Sequence, residues 1–328
     1  MTDASTPDAV RSPILVTGAT GIVGGWLVRR LLGMGGNVVV LLRDEPVHSE
    51  LLRSGDVDRV TRVRGSLEDD RLLERILVDY DIGLVFHLGA QTQVATAHRE
   101  PLESLEANVR GTYLLLDAAR RQPRPPAVVV ASSDKAYGSS DRLPYTEEHP
   151  LVGRGMYDVS KSAADLIATA YGLSYNLPVA IARCGNIYGG GDLNWDRIVP
   201  GTIRSLLAGE RPVLRSDGRP RRDYLYVDDV VSAYVRLAEA TLAGEANGEA
   251  FNFGHNEPVS VTEIVDQLRA ILERPDLEPV VLATATHEIP DQYLDAAKAR
   301  TRLGWLPQFD LRTGLSRTVE WYRDLLTA

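Results

Sequence analysis

The sequence of 328 residues has a single cysteine, Cys184, and no apolar run of transmembrane length. One cysteine cannot form an internal disulfide, so Cys184 is expected to pack in the core as a free thiol. The N-terminal stretch MTDASTPDAVRSP is polar and lacks the apolar segment of a signal peptide. These absences predict a cytoplasmic protein with no membrane partner.

The chain also lacks a surplus of basic charge. It carries 36 Lys and Arg against 45 Asp and Glu, which gives a net charge of −9. Because nucleic-acid-binding proteins concentrate Lys and Arg on one face, this balance argues against a nucleic-acid partner. With 44% hydrophobic and 25% charged residues, the composition is that of a globular protein long enough for two lobes.

Short β-branched runs alternate along the chain with amphipathic stretches. Six runs are predicted to be strands: ILVTG, NVVVLL, RVTRVRG, LVFHLG, AVVVASS and VAIARCGNIYG. Helical patterns between them cover residues 26–32, 71–78, 102–120 and 157–171. This alternation predicts an α/β fold in which residues 12–184 form a doubly wound, parallel Rossmann-type sheet. Residues 185–328, richer in loops and proline, predict a smaller, mixed C-terminal substrate lobe, from which the segment around 222–254 returns to the first domain.

A glycine pattern follows the first predicted strand, in TGATGIVG. Gly18, Gly21 and Gly24 permit a tight turn there, and the N-terminus of the following helix offers free N–H groups to a pyrophosphate. This context predicts a dinucleotide cofactor. The second strand ends at LLRD, where an acidic residue favours NAD and an arginine favours the 2′-phosphate of NADP. Arg43 beside Asp44 therefore leaves both cofactors open.

A tyrosine and a lysine stand four residues apart in YDVSK, at the start of a predicted helix. Tyr157 and Lys161 would share a helix face, where the ammonium lowers the pKa of the phenol and makes it a usable base for a substrate hydroxyl. With the glycine turn upstream and Ser133 at the end of an intervening strand, the pair is predicted to be catalytic.

In this combination the sequence resembles the extended short-chain dehydrogenase/reductase family over nearly its whole length. The resemblance is carried by TGATGIVG, HLGAQ at 87–91, NVRGT at 108–112, YDVSK, GNIYGGGD at 185–192, RRDYLYVDD at 221–229 and LGWLP at 303–307. It implies that Tyr157 is the base and that Ser133 hydrogen-bonds the reacting hydroxyl. Lys161 would lower the pKa of the tyrosine and hold the nicotinamide ribose, and Asn108 would support the Lys161 region.

The family's usual substrates are nucleotide sugars, so the resemblance implies a nucleoside-diphosphate hexose. The implied substrate contacts are Gln91, Asn186, Arg197 and Arg222. The implied cofactor contacts are Gly18, Thr20, Gly21, Ile22, Val23, Arg43, Leu88, Ala90, Tyr157 and Lys161. No metal site is expected. A homodimer formed through the helices in 102–120 and 157–171 is also implied, although their apolar positions could equally pack on the sheet.

The stretch SSDK at 132–135 resembles the family's sugar-nucleotide 4,6-dehydratases, in the Asp-Lys variant of CDP-glucose 4,6-dehydratases. RRDYLYVDD follows the general nucleotide-sugar pattern instead of that group's version, which leaves the nucleotide base open. In such a reaction, oxidation at carbon 4 acidifies the hydrogen on carbon 5, so water can be eliminated across carbons 5 and 6. Asp134 is the expected acid, which requires a raised pKa. Lys135 is either the carbon 5 base or a charged group that stabilises the enolate.

Other functions stay open on these residues. A 4-epimerase would share the first oxidation but has little use for both charged groups of SSDK. A cofactor-binding sensor would not need the set of Ser133, Tyr157 and Lys161, and Arg43 keeps reduction by NADPH open. Alternatively, Asp134 and Lys135 form an exposed ion pair in a loop and have no catalytic role. His87 is expected to be a loop residue beside the cofactor, not a base.

Overall fold

The computed structural model describes residues 12–284 and 289–327, in which strands and helices alternate. The strands are β1 (Ile14–Thr17), β2 (Val38–Leu42), β3 (Thr61–Arg64), β4 (Leu84–His87), β5 (Ala127–Ala131), β6 (Val179–Cys184), β7 (Asn186–Tyr188), β8 (Val213–Leu214), β9 (Arg221–Arg222), β10 (Tyr224–Tyr226), β11 (Glu249–Phe253), β12 (Val259–Ser260), β13 (Val280–Val281) and β14 (Asp291–Gln292). The α-helices are α1 (Ile22–Gly33), α2 (Glu50–Arg53), α3 (Asp70–Asp79), α4 (Val94–Arg99), α5 (Pro101–Leu105), α6 (Gly111–Arg120), α7 (Met156–Tyr175), α8 (Ile198–Leu207), α9 (Val227–Leu242), α10 (Val261–Ile271), α11 (Ala297–Leu303) and α12 (Leu311–Thr327).

The centre of the fold is a sheet of seven parallel strands in the order β11-β6-β5-β4-β1-β2-β3. The predicted α/β class with a Rossmann-type sheet is confirmed. Two details of the strand prediction are wrong. The seventh strand, β11, was not predicted, and the run VAIARCGNIYG is two strands. The chain leaves the sheet at Gly185, where a Cβ would lie 2.6 Å from the Asp223 carbonyl oxygen, and β7 pairs with β10 outside it.

The sheet is buried on both faces because successive side chains of each strand point to opposite sides. Ile14 and Val16 of β1 pack with residues of α1 and α9, whereas Leu15 between them packs with residues of α3 and α6. Full burial of side chains of this size contributes about 1.5–3 kcal/mol each. The helices on the two faces explain why β1, β2, β4 and β6 are buried at every residue.

The helix predicted over residues 102–120 is interrupted. The chain forms α5, then a π-helical turn at Glu106–Arg110, then α6. Asn108 lies in the π-helical turn and is buried. Such turns are rare and occur frequently at functional sites.

The C-terminal part has a smaller core of its own between α8, α10, α12 and the strands β7 and β10. Beside it lies a three-stranded sheet in the order β12-β9-β14, in which Gln292 is the register partner of Arg222. Across residues 12–284 and 289–327, no helix combines the length and the apolar character that a membrane crossing requires.

Candidate active site

The carboxyl ends of β5, β4, β1 and β2 meet at one edge of the sheet, because these strands are parallel neighbours. Gly18 follows β1, Arg43 follows β2, Leu88 follows β4, and Ser133 lies two residues after β5. Doubly wound sheets bind ligands at this edge. The fold therefore places Gly18, Arg43, Leu88 and Ser133 at the same edge of the sheet.

The glycine turn between β1 and α1 fits a dinucleotide. Gly18 has φ +72°, and a Cβ there would lie 2.7 Å from the Gly89 backbone nitrogen, so only glycine lets the turn approach the loop after β4. α1 begins at Ile22 after Gly21, which makes no side-chain capping bond. The first N–H groups of the helix are thus available to a pyrophosphate, and Thr20 and Val23 lie in the same turn.

Arg43 and Asp44 are exposed at the end of β2. The Arg43 Nε donates a hydrogen bond to the Asp44 carboxylate at 2.8 Å. That bond is the largest cause of a raised pKa at Arg43. The guanidinium that would attract a 2′-phosphate is therefore already paired with a carboxylate.

Tyr157 lies in the first turn of α7, and Ser133 lies beside it. Burial raises the pKa of Tyr157 to about 12, while the charge of Arg197 and a side-chain hydrogen bond with Ser133 lower it. Lys161, one turn further along α7, donates from Nζ to the Ala131 carbonyl at 2.9 Å. Burial lowers its pKa to about 8. Arg197 is the group that most lowers the pKa of the phenol here, and the same role for Lys161 stays a prediction.

Asn108 joins the loop after β4 to the start of α7. Its Oδ1 accepts from the Gln91 backbone nitrogen at 2.6 Å, and its Nδ2 donates to Ser160 Oγ at 2.9 Å. Ser160 in turn donates to the Tyr157 carbonyl at 2.7 Å. Asn108 therefore braces the turn of α7 that carries Tyr157 and Lys161.

Asp134 and Lys135 begin a 3-10 turn, Asp134–Tyr137, directly after Ser133. The Ser133 hydroxyl donates to Asp134 Oδ1 at 3.0 Å, and Lys135 Nζ lies 3.3 Å from the same oxygen. An extended chain would send the two charges to opposite sides, but the turn brings them together. Burial lowers the pKa of Lys135, Asp134 opposes this effect, and the charge of Arg222 adds to it.

The predicted substrate contacts come from separate elements. Asn186 Oδ1 on β7 lies 3.5 Å from Lys135 Nζ. Arg197, just before α8, donates to Asp192 at 3.1 Å while its charge acts on the Tyr157 phenol. Arg222 on β9 donates to the Pro290 carbonyl at 2.9 Å. Asn186, Arg197 and Arg222 therefore surround the region of Lys135 and Tyr157. The fourth predicted contact, Gln91, differs, because its side-chain oxygen accepts a hydrogen bond from the Gln93 backbone nitrogen in its own loop.

From the sequence, His87 was expected to be a loop residue. In the structure it is instead the last residue of β4. Its Nδ1 lies 3.0 Å from Thr17 Oγ1 and its Nε2 lies 3.0 Å from Thr112 Oγ1. Burial lowers its pKa to about 3, so the imidazole is neutral at physiological pH. His87 thus ties β4 to β1 and α6.

Two groups beside the site carry no sequence motif and were not predicted. Gln292 contacts Lys135 through Oε1 and donates from Nε2 to the Asp134 carbonyl at 3.0 Å. Arg183 on β6 donates to the Tyr137 hydroxyl at 2.9 Å, at the end of the 3-10 turn. Gln292 is 157 residues from Lys135 along the chain, so no local pattern could have indicated the contact.

The profile of the NAD dependent epimerase/dehydratase family matches residues 14–254. The chain is 33% identical over 319 residues to dTDP-glucose 4,6-dehydratase from Streptomyces antibioticus, covering 95% of this chain and 92% of that protein. It is 30% identical to CDP-glucose 4,6-dehydratase from Salmonella typhimurium, and the match covers 94% of this chain and 90% of that protein. The solved structure of DesIV, a dTDP-glucose 4,6-dehydratase from Streptomyces venezuelae with NAD bound, superimposes with a TM-score of 0.86 at 31% identity, covering 95% of this chain and 97% of that one. UDP-glucose 4-epimerases are also among the similar proteins.

Proposed function

Because the chain belongs to the NAD dependent epimerase/dehydratase family, we propose that it is a nucleoside-diphosphate-hexose 4,6-dehydratase. It is a lyase that uses NAD and restores it in each turnover. Asp134 and Lys135 carry this proposal, since both lie on one turn beside Ser133, which is hydrogen-bonded to Tyr157. The 4,6-dehydratases among its relatives support the same activity.

Tyr157 and Ser133 act in the oxidation at carbon 4. The Ser133 hydroxyl hydrogen-bonds the carbon 4 hydroxyl, and the Tyr157 oxygen takes the hydroxyl proton. NAD, which the glycine turn between β1 and α1 would hold, would take up the hydride from carbon 4 and supply it again at carbon 6. Arg197 supplies positive charge near the phenol, which favours the deprotonated form that the step requires. Lys161 is proposed to add to this effect.

Asp134 and Lys135 act in the elimination. Lys135 takes the carbon 5 proton as the carbon 5–carbon 6 double bond forms, and Asp134 protonates the departing carbon 6 hydroxyl, which leaves as water. Lys135 exchanges its protons with solvent and then returns one to carbon 5 as hydride reaches carbon 6. At the end of the cycle Tyr157 releases the proton that it gained to solvent, and Asp134 takes a proton from solvent in place of the one that it lost. The lowered pKa of Lys135 favours the neutral amine that the first of these transfers needs.

Three side chains are proposed to bind the nucleoside diphosphate. Arg197 and Arg222 offer guanidinium groups, whose planar forks match phosphate oxygens, and Asn186 offers an amide. Arg197 donates to the Asp192 carboxylate and Arg222 donates to the Pro290 carbonyl. We propose that the diphosphate replaces these partners.

The proposed homodimer would form through α5, α6 and α7. Leu166 and Leu173 on α7 are 56% and 74% exposed, and Leu102 on α5 and Tyr113 on α6 are also exposed. α6 and α7 pack against each other, so these apolar side chains belong to neighbouring helices. Sedimentation of the wild type against Leu166→Glu and Leu173→Glu tests this interface, since either charge should produce monomers.

Turnover with defined substrates tests the function. The purified protein with NAD is incubated separately with CDP-, dTDP-, GDP- and UDP-glucose in heavy water, without added reductant, and products are followed by mass spectrometry. Loss of water with deuterium at carbon 5 is the expected result and names the nucleotide. Conversion at carbon 4 without loss of mass would establish an epimerase instead, and no conversion of any of the four would overturn the proposal.

A further inference from the structure

Gln292 is a buried amide that reaches the site from the C-terminal lobe. It lies on β14 with no exposed surface, beside Arg222 of β9 in register. β14 has only two residues, and the next described bridge, between Tyr145 and Leu294, ties the same segment to the loop that follows the 3-10 turn. The backbone around Gln292 is thus held on two sides, which fixes where its side chain begins.

Both ends of the Gln292 amide are occupied by groups of the 3-10 turn. Nε2 donates to the Asp134 carbonyl at 3.0 Å, and Oε1 accepts from Lys135 Nζ. A backbone carbonyl only accepts and an ammonium only donates, so the opposite orientation of the amide would lose both hydrogen bonds. The chemistry of the partners therefore determines the orientation of Gln292.

Lys135 needs such a partner because its stem is long and flexible. Its other neighbours hold it more loosely, with Nζ at 3.3 and 3.5 Å from the two Asp134 oxygens and at 3.5 Å from Asn186 Oδ1. The charged groups that act on it are Asp134 on its own turn, Arg222 on β9 and Asp158 on α7. Gln292 is a close acceptor that adds no charge to this set.

A neutral acceptor has a specific advantage here. A second carboxylate against Nζ would stabilise the Lys135 ammonium and oppose loss of its proton. The neutral amide oxygen of Gln292 stabilises the ammonium less, so the proton is lost more easily. Since Nε2 also holds the Asp134 carbonyl, one side chain fixes both the start of the turn and the end of the lysine.

We propose that Gln292 is a positioning residue for the acid–base pair: it holds Lys135 Nζ and the Asp134 backbone in one arrangement and links them to the lobe that carries Arg222. Its part in catalysis rests on the proposed dehydratase function, but its hold on Lys135 does not. Gln292 touches no reacting atom in this assignment, and its effect reaches the substrate through Lys135.

The first test needs no substrate. The chain has only three lysines, Lys135, Lys161 and Lys298, so lysine labelled with carbon-13 at Cε gives a spectrum in which each can be titrated. Lys298→Arg assigns the signal of the lysine far from the turn. We expect Gln292→Glu to raise the Lys135 titration midpoint and Gln292→Met to lower it, each on the order of one pH unit. Lys298 should titrate unchanged. An unchanged Lys135 midpoint in either folded variant would overturn the proposal, so Gln292→Glu suffices if Gln292→Met does not fold.

The second test separates positioning from general stability. With the substrate that the wild type dehydrates, Gln292→Met should slow deuterium exchange at carbon 5 at least tenfold, while single-turnover oxidation at carbon 4 and KM stay close to wild type. Gln308→Met, an exposed glutamine on another loop, is the matched control. Equal slowing of both steps would show a merely structural role. If the wild type converts no nucleotide hexose, the proposed function fails, and the lysine titration still decides the contact.

Discussion

The Asp165 carboxylate accepts two hydrogen bonds from the Arg183 guanidinium, at 2.7 and 2.8 Å, one helical turn beyond Lys161 on α7. Both side chains are buried. Arg183 also donates to the Tyr137 hydroxyl, which in turn donates to Asn252 Oδ1 at 2.7 Å. This pair therefore connects the helix that carries Lys161 to the turn that carries Asp134 and Lys135.

Replacing Arg183 alone should strongly destabilise the protein. Arg183→Met leaves the Asp165 carboxylate buried without its partner, which typically costs about 3–5 kcal/mol. The double variant Arg183→Met with Asp165→Leu should recover a large part of that loss, because no unpaired charge remains. Chemical denaturation of the three proteins measures the free energies of unfolding. A single variant no less stable than the double one would contradict the assignment.

Asp134→Asn should abolish elimination while the oxidation survives. The amide keeps the shape of the carboxyl but cannot protonate the leaving hydroxyl, and loss of a positioned acid typically costs about 10²–10⁴-fold in rate. Water loss is measured by mass spectrometry and oxidation at carbon 4 by single-turnover absorbance of the nicotinamide. Asp141→Asn, on an exposed loop, is the control. Normal water loss in Asp134→Asn would remove Asp134 from the role of acid.

His87 makes the fold sensitive to acid. Its pKa is about 3 in the folded protein against 6.5 for the free side chain, because burial disfavours the imidazolium. Between these values the unfolded chain binds a proton that the folded protein does not, so stability falls as the pH drops from 6.5 to about 3. The share from this residue is about 5 kcal/mol over that window.

His87→Gln tests this dependence, since the amide can still bond to Thr17 and Thr112 but does not titrate. Unfolding free energies of the two proteins are compared by denaturant titration at several pH values. The difference between the two free energies should change with pH between about 3 and 6.5. At pH values above that range it should stay constant, because His87 is then neutral in both the folded and the unfolded chain. Parallel pH profiles would show that His87 is protonated in the folded state as well.

Asp44 is expected to disfavour NADP by pairing with Arg43. Asp44→Ala frees the guanidinium for a 2′-phosphate and removes a carboxylate that would repel it. The ratio of the Kd for NADP to that for NAD should fall about tenfold, which corresponds to roughly 1.4 kcal/mol. Calorimetric titration with both cofactors measures it, with Asp58→Ala at another exposed position as the control. An unchanged ratio would place the adenine ribose away from this pair.

Much of the fold could be predicted because its signals are local. β1, β2, β4 and β5 are short runs of mostly apolar residues, and the glycine turn stands between β1 and α1 as its spacing indicates. β11 was missed because its sequence, EAFNF, includes a glutamate and an asparagine and shows no β-branched run. The interruption of the helix at Glu106–Arg110 was also missed; Asn108 within it bonds to Gln91 and Ser160, which are distant in the chain and leave no local pattern.

By itself, the sequence determined the class of sheet and the position of the glycine turn, and it predicted the set of Ser133, Tyr157 and Lys161, because each depends on spacing within a strand, a turn or a helix. The tertiary structure decided where the charges of Asp134 and Lys135 lie relative to each other and to their neighbours. Their orientation depends on a 3-10 turn and on Gln292 of β14, and the charges of Arg222 and Asp158 act on the pKa of Lys135. Hydrogen bonds and pKa shifts arise from distance in space and from burial, and chain positions more than a hundred residues apart carry no record of either.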